Sequence, residues 1–400
     1  MTPKARLATL RQQAGATRPA SAPEGLLPWL HRIRSAAAAE QREQQVARAL
    51  QGRRVTPGLI VIEQRLPLTY RHGRWPLAAA TTLERLAPLL GEPVRPEELL
   101  FLDTETTGLA GGTGTLVFLL GLGRLEGESL RLQQLLLTGF RGEAALLQEA
   151  AAACAGRRYL VTFNGKCFDV PLIATRYRLS RQDDPFASMQ HLDLLPLLRQ
   201  AFARRWPDCR LLTAEQRLLG FARAQDLPAA AIPEAWFAFV RHGTTHLLPA
   251  ILRHNRWDLL SLVTLLPSLG EAFMAPGESG ADPVAAARFW WRRGDEQAAV
   301  ATLQRHRQHL DQTGLHELAH LYRRRRQWEA AVAIWEALAR EDDPAALLCL
   351  AKYYEHVRRD YPLALHYTER LLQVADTTEA HQQRRQRLSR KLARHRAAGN

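Results

Sequence analysis

Apolar residues come in short runs over the first 280 positions and in helical periodicity after that. Residues 1–55 read as a basic, Ala- and Gln-rich helix with loose ends. Gly58-Leu59-Ile60-Val61-Ile62-Glu63 is β-branched and turn-bounded, which predicts a strand. It runs on through Pro67 and Tyr70 to a turn at His72-Gly73. A Pro-punctuated connector with short helices fills 76–98. Leu99-Leu100-Phe101-Leu102-Asp103 is an apolar run ending in acid, the pattern of a buried strand that delivers polar groups at its end. Strands over 116–125 and 130–137, joined by the turn Glu126-Gly127-Glu128, complete a meander of three. Then come a helix over 143–155, a buried strand over 158–163 closed by Asn164-Gly165, and a helix over 169–179 with Pro171 in its first turn, where proline is tolerated. A short strand over 191–195 and helices over 213–220 and 247–266 follow.

From about residue 281 the texture changes to Ala-rich helices with aromatic anchors. Glu296-Gln297-Ala298, Glu329-Ala330-Ala331 and Pro362-Leu363-Ala364 recur at a spacing of 33, with Trp328 and Tyr361 as equivalent aromatics. A period near that length with paired helices is the signature of tetratricopeptide-type repeats, whose units bury their apolar faces only by stacking. An ordinary helical bundle with accidental spacing is the alternative. The chain thus divides into a basic helical segment (1–55), a strand-containing lead-in (56–98), an α/β domain (99–272) and a helical region (281–400).

With 46% hydrophobic and 24% charged residues the composition is that of a folded protein, and wholesale disorder is excluded. No apolar run reaches the length of a membrane span, so no membrane association is expected. The N-terminus has no apolar signal-peptide core; it is Arg- and Ala-rich like a transit peptide, against which stand Glu24, Glu40 and Glu43. Cys154, Cys167, Cys209 and Cys349 form no C-x-x-C pair, which predicts reduced thiols in a cytoplasmic protein. The formal net charge is +14. The excess lies in the flanks, 1–100 and 281–400, while 101–280 is nearly balanced. Basic flanks attract a polyanion, with nucleic acid the commonest choice. Only Lys4, Lys166, Lys352 and Lys391 are lysines, so a compositional taste for Arg competes with that explanation.

Three carboxylate clusters bear on chemistry. In Asp103-Thr104-Glu105 the two acids stand at i and i+2 of a strand and share one face. Side by side and half-buried, they repel unless a cation intervenes, and all-oxygen ligation suits Mg²⁺ or Mn²⁺. Solvated acids at a strand end are the alternative. Asn164-Gly165-Lys166-Cys167-Phe168-Asp169 puts Asp169 at a helix start, where an acid also serves simply as a cap. In His254-Asn255-Arg256-Trp257-Asp258 the His and Asp stand at i and i+4 and share one helix face. Such a His takes a proton from attacking water, or else forms an ordinary surface pair with its Asp.

D-x-E on a first strand, N-x3-F-D after a later strand and H-x3-D on a late helix, in that order, resemble the DEDD superfamily of 3′–5′ exonucleases. Over residues 99–270 the chain is most similar to the YprB-type ribonuclease-H-like family. The likeness is carried by Phe101 to Leu109, Gly112 to Thr115, His191-Leu192-Asp193, Leu218-Leu219-Gly220, Ile232-Pro233-Glu234 and His254 to Leu262, with Gly58 to Gly73 like that family's leading segment. The resemblance implies a ribonuclease-H-like mixed sheet flanked by helices, followed by helical repeats. It implies two Mg²⁺ or Mn²⁺ ions held by Asp103, Glu105, Asp169 and Asp258, with His254 as general base. It also implies phosphodiester hydrolysis at a single-stranded 3′ end. One departure stands out: the His-type enzymes place their His five residues before the last Asp and the Tyr-type a Tyr four before it, whereas here a His takes the four-residue spacing.

Thr104, Thr106, Asn164, Lys166, His191 and Asp193 are candidate substrate contacts, with structural roles for His191 and Asp193 and a solvated Lys166 as alternatives. Phe163 and Phe168 read as core and Cys167 as a small buried thiol; Trp257 would stack on a base. Residues 111–114 would let backbone approach the terminal nucleotide. Arg323 to Arg326 grip phosphates or form a solvated turn. The helical repeats offer a surface for a protein partner. Two other readings remain: a nucleic-acid-binding or scaffold module with little turnover, and a structure-selective endonuclease.

Overall fold

The computed structural model describes residues 26–108, 114–375 and 378–397. Residues 1–25, Leu109 and 111–113, named above, lie outside the described residues.

Seven strands form one mixed sheet: β1 (Arg53–Thr56), β2 (Leu59–Pro67), β5 (Leu99–Thr106), β6 (Val117–Glu126), β7 (Ser129–Leu137), β8 (Tyr159–Thr162) and β9 (Gln190–Asp193). Their order is β1-β2-β7-β6-β5-β8-β9. The meander β5-β6-β7 is antiparallel, β2 extends it on the far side of β7, and β8 and β9 add in parallel beyond β5. β3 (Arg71–His72) and β4 (Trp75–Pro76) make a separate small hairpin.

The expected helix over 1–55 does not reach its end. Helix α1 (Leu26–Ala49) stops before edge strand β1. The turn into β2 needs Gly58, which sits at φ +93° and where an added Cβ would stand only 2.6 Å from the Gly142 nitrogen. The strand expected over 191–195 ends at Asp193, because that carboxylate caps α5 (Leu194–Phe202) by accepting from the Leu195 N–H.

Helices cover both faces. α2 (Leu83–Leu90), α3 (Glu143–Ala153) and α4 (Asp169–Leu179) accompany α5. Beyond them lie α6 (Leu211–Ala214), α7 (Ile232–His242) and the 27-residue α8 (Leu248–Met274). Alternation along β5 feeds two cores. Leu100 and Leu102 join Phe118, Leu136, Leu146 and Trp236, while Leu99 and Phe101 join Tyr159, Phe202, Leu262 and Phe273. α8 bridges them: Ile251 and Leu252 belong to the first core and the helix from Leu259 onward to the second. His254, Asn255 and Asp258 therefore sit where the helix passes the polar end of β5.

After the short α9 (Pro276–Ser279) the chain is all helix: α10 (Pro283–Arg292), α11 (Glu296–Arg305), α12 (Gln312–Arg324), α13 (Trp328–Arg340), α14 (Pro344–Tyr353), α15 (Tyr361–Val374) and α16 (Glu379–Ala397). Asp282, Asp295, Asp311, Asp343 and Asp360 cap the starts of α10, α11, α12, α14 and α15 with their side chains, whereas Gln327 precedes α13 without a side-chain cap. The fully buried alanines of α11, α13 and α15 are Ala299, Ala331 and Ala364, each four residues past the one preceding its helix. The first interval is thus one residue shorter than the spacing from Ala298 suggests, because the cap, not the Ala-rich text, sets helix phase. The helical region is anchored on the sheet domain. Phe289 stacks on Phe273 at 4.0 Å, and the Trp290 indole N–H donates to the Phe273 carbonyl at 3.0 Å.

Candidate metal centre

The end of β5 carries Asp103 and Glu105 on the face that holds Phe101 one turn of the pleat earlier. Asp103 lies opposite Gly121 of β6. A side chain at that glycine would fall 2.3 Å from the Asn255 amide oxygen. The bare backbone therefore leaves room for Asn255, which is fully buried on α8. Asn255 donates from Nδ2 to Asp103 Oδ2 at 2.8 Å, and its oxygen accepts from Gln134 Nε2 at 2.8 Å. Gln134 also donates to the Leu252 carbonyl at 2.8 Å, which fixes the direction of the chain of amides.

Asp169 begins α4, and Thr104 donates its hydroxyl to Asp169 Oδ1. From α8, His254 Nε2 lies 3.4 Å from Asp258 Oδ2 and 4.0 Å from Glu105 Oε1. Ligand atoms of Glu105, His254 and Asp258 all fall within 4.8 Å of one another. The structure thus gathers at one place five side chains from three separate stretches of the chain.

Their electrostatics are those of crowded acids. Burial, then the charges of Asp258, Glu105 and Asp169, pushes the Asp103 carboxyl well above the usual range. Burial, then Asp258 and Asp169, does the same to Glu105. Asp169 is pushed up to about 6 by burial, with Asp193 and Asp258 adding to it and the Thr104 hydroxyl opposing. These carboxylates with one imidazole beside them have the donor chemistry of a divalent-cation site, and cations between the carboxylates would relieve the repulsion.

One positive group is already close. Arg223, its side chain only 4% exposed, donates to Asp258 Oδ1. It grips Glu215 with two prongs, at 2.8 and 2.6 Å, and reaches Asp226 Oδ2 at 3.1 Å. Glu215 also accepts from Ser261 at 2.5 Å, and Ser261 pairs with His72 at 2.8 Å. His72 is held far below the usual imidazole range, at about 3, by burial and then by Arg223 and Arg256.

Other candidates take different places. Asp193 accepts from the backbone N–H groups of Asn164 (2.7 Å), Lys166 (3.1 Å) and Leu195 (3.1 Å), so both its oxygens are spent on the fold. His191 Nε2 pairs with Thr162 at 2.8 Å. Asn164 is in the left-handed region at φ 65°, and Thr106 donates to the Gly108 carbonyl at 3.1 Å. Lys166 is exposed. Phe163 packs on the second core as expected, but Phe168 is 53% exposed and Cys167 is exposed too, because the turn before α4 points them outward. Trp257 packs edge-on against Phe221 and under Arg253. Arg323 to Arg326 close the exposed turn between α12 and α13.

Asn255, Gln134, Arg223, Glu215 and Asp226 escape a motif-based reading. The Gly121-x-Gly123 pattern inside a strand was a usable signal for close approach. Arg223 and Asp226 sit in an irregular segment with no periodicity to mark them.

With this geometry in view, two comparisons bear on kinship. Residues 100–269 match the RNase_H superfamily. Over 338 residues the chain is 32% identical to "Uncharacterized protein YprB" of Bacillus subtilis (strain 168), covering 79% of this chain and 81% of that one. Likeness on that scale makes the chain a member of the YprB family, built around a nuclease-type domain of the RNase_H superfamily.

Proposed function

We propose that the protein is a divalent-metal-dependent nuclease of the DEDD type that removes nucleotides from the 3′ end of single-stranded DNA or RNA. The observation that carries this reading is the convergence of Asp103, Glu105, Asp169 and Asp258, with His254 beside them, at the end of the central strand.

Asp103, Glu105, Asp169 and Asp258 would hold two divalent ions, Mg²⁺ or Mn²⁺. When bound, such a pair supplies Lewis-acid stabilisation to the attacking and leaving oxygens of a phosphodiester. Asn255 keeps Asp103 from turning away, and Thr104 does the same for Asp169. His254 Nε2 takes the proton of the attacking water. The water oxygen bonds to phosphorus, the 3′-oxygen of the preceding nucleotide leaves, and a nucleoside 5′-monophosphate is released. Tetratricopeptide-type stacking of the helical region, a protein partner on it and a cytoplasmic location complete the reading. A binding module with little turnover is the second reading, favoured by one observation: Arg223 already occupies an oxygen of Asp258.

The test is incubation of 5′-labelled single-stranded DNA and RNA with Mn²⁺, beside a circular single strand. Progressive shortening of the linear strands with the circle intact is expected. A cut circle indicates endonuclease action. Salt-sensitive retardation without products under any metal indicates the binding module.

A further inference from the structure

We infer that Asp226 is a positioning residue that sets the tautomer of His254 and keeps its Nε2 free of hydrogen on the side facing the carboxylates. This rests on the reading of His254 as proton acceptor. Asp226 belongs to none of the sequence motifs. It follows Gln225, which is in the left-handed region at φ 52° and whose carbonyl accepts from Arg253 Nη2 at 2.8 Å, so the turn is pinned to α8.

Asp226 Oδ1 lies 2.8 Å from His254 Nδ1 and Oδ2 lies 3.1 Å from Arg223 Nη1. Arg223 only donates, and its two-pronged hold on buried Glu215 stops it from turning away. Both Asp226 oxygens therefore accept. In the neutral ring the hydrogen goes to Nδ1, because the 2.8 Å contact to Asp226 is shorter than the 3.4 Å approach of the Arg223 Nη1 donor to the same nitrogen and than the 3.4 and 4.0 Å separations at Nε2.

An amide of the same size cannot do this. In Asp226→Asn the oxygen must face Arg223, since an NH₂ group there would oppose a donor. The NH₂ then faces His254 Nδ1, which can only accept. The hydrogen moves to Nε2, where it blocks proton uptake. Asp226→Glu keeps two accepting oxygens and so keeps the tautomer.

The experiment is long-range ¹H–¹⁵N correlation on metal-free, ¹⁵N-histidine-labelled protein in alkaline buffer, with the His254 signals assigned by their loss in His254→Gln. The wild type and Asp226→Glu are expected to show Nδ1–H, and Asp226→Asn to show Nε2–H. In the same Asp226→Asn protein kcat falls by about 10²–10⁴-fold, while KM and Mn²⁺ affinity stay within about two-fold. Retention of Nδ1–H in Asp226→Asn overturns the inference, as does loss of Mn²⁺ affinity in Asp226→Asn and Asp226→Glu alike, the mark of a merely structural residue. A reversed tautomer with kcat intact upholds the role of Asp226 and overturns the proton-acceptor reading of His254 instead.

Discussion

Single atoms decide how the carboxylates behave. Gly121 is the clearest case: Gly121→Ala is expected to push Asn255 off Asp103, lowering stability by about 1–3 kcal/mol and weakening Mn²⁺ binding in calorimetric titration. Asp169 gives a pH signature. Its folded pKa of about 6 stands above the model-compound value of 3.8, so the folded chain holds the proton more tightly than the unfolded one. Ionisation then opposes folding. The metal-free protein is expected to gain stability from this group as pH falls from 6 towards 3.8, and Asp169→Asn is expected to remove that gain. Divalent ions favour the ionised form, so Mn²⁺ should raise Tm at neutral pH in scanning calorimetry and much less in acid. Strand alternation and helix period put Asp103 with Glu105 and His254 with Asp258 on shared faces (i, i+2 and i, i+4), but only the order of the three clusters and its resemblance to the DEDD pattern linked them and Asp169 to one place. Their supports were not legible in the sequence. Asn255 acts through a gap left by a glycine on another strand, and Arg223 acts from a segment without period.

Elements place these atoms. β5 brings two acids to its polar end, α4 starts with a third, and α8 carries the fourth past them. α8 can do this because it lies very close to the segment around α2. A Cβ at Gly270 would stand 1.7 Å from the Arg85 carbonyl oxygen. Alanine is favoured over glycine inside a helix by about 1 kcal/mol, but the clash outweighs that. Gly270→Ala is expected to lower stability by about 1–3 kcal/mol in chemical denaturation; an increase would show that the helix shifts freely. At this scale the sequence served well where the apolar pattern was strong. The three-strand meander, the strand now seen at Tyr159–Thr162 and helix α4 stand where they were expected. It failed where side chains are half-exposed and short, as in Arg53–Thr56, whose pairing with β2 no local pattern announces. It also misplaced the buried alanine of α11 by one position, since Ala298 and Ala299 read alike until the Asp295 cap sets the phase.

Across the molecule, charge helps to dock the last described helix. Glu355, buried beneath α16, accepts from Arg387 at 2.9 Å and Lys391 at 3.1 Å, with Arg384 also on it. These partners outweigh burial and hold its carboxyl down at about 2, against 4.5 unperturbed. The sign is the reverse of Asp169: the stabilisation is complete above 4.5 and is lost as pH falls towards 2. Glu355→Gln is expected to speed hydrogen exchange of α16 amides at neutral pH while leaving β5 protected; unchanged exchange would show that packing, not charge, docks the helix. The proposed chemistry of the whole chain nevertheless requires the β5 carboxylate cluster to hold cations. Isothermal titration of the metal-free protein with Mn²⁺ measures it most directly. Binding of two ions per chain, reduced or abolished in Asp103→Asn with the fold intact by circular dichroism, is the result predicted. No saturable binding by the wild type, or the same binding by Asp103→Asn, would contradict it.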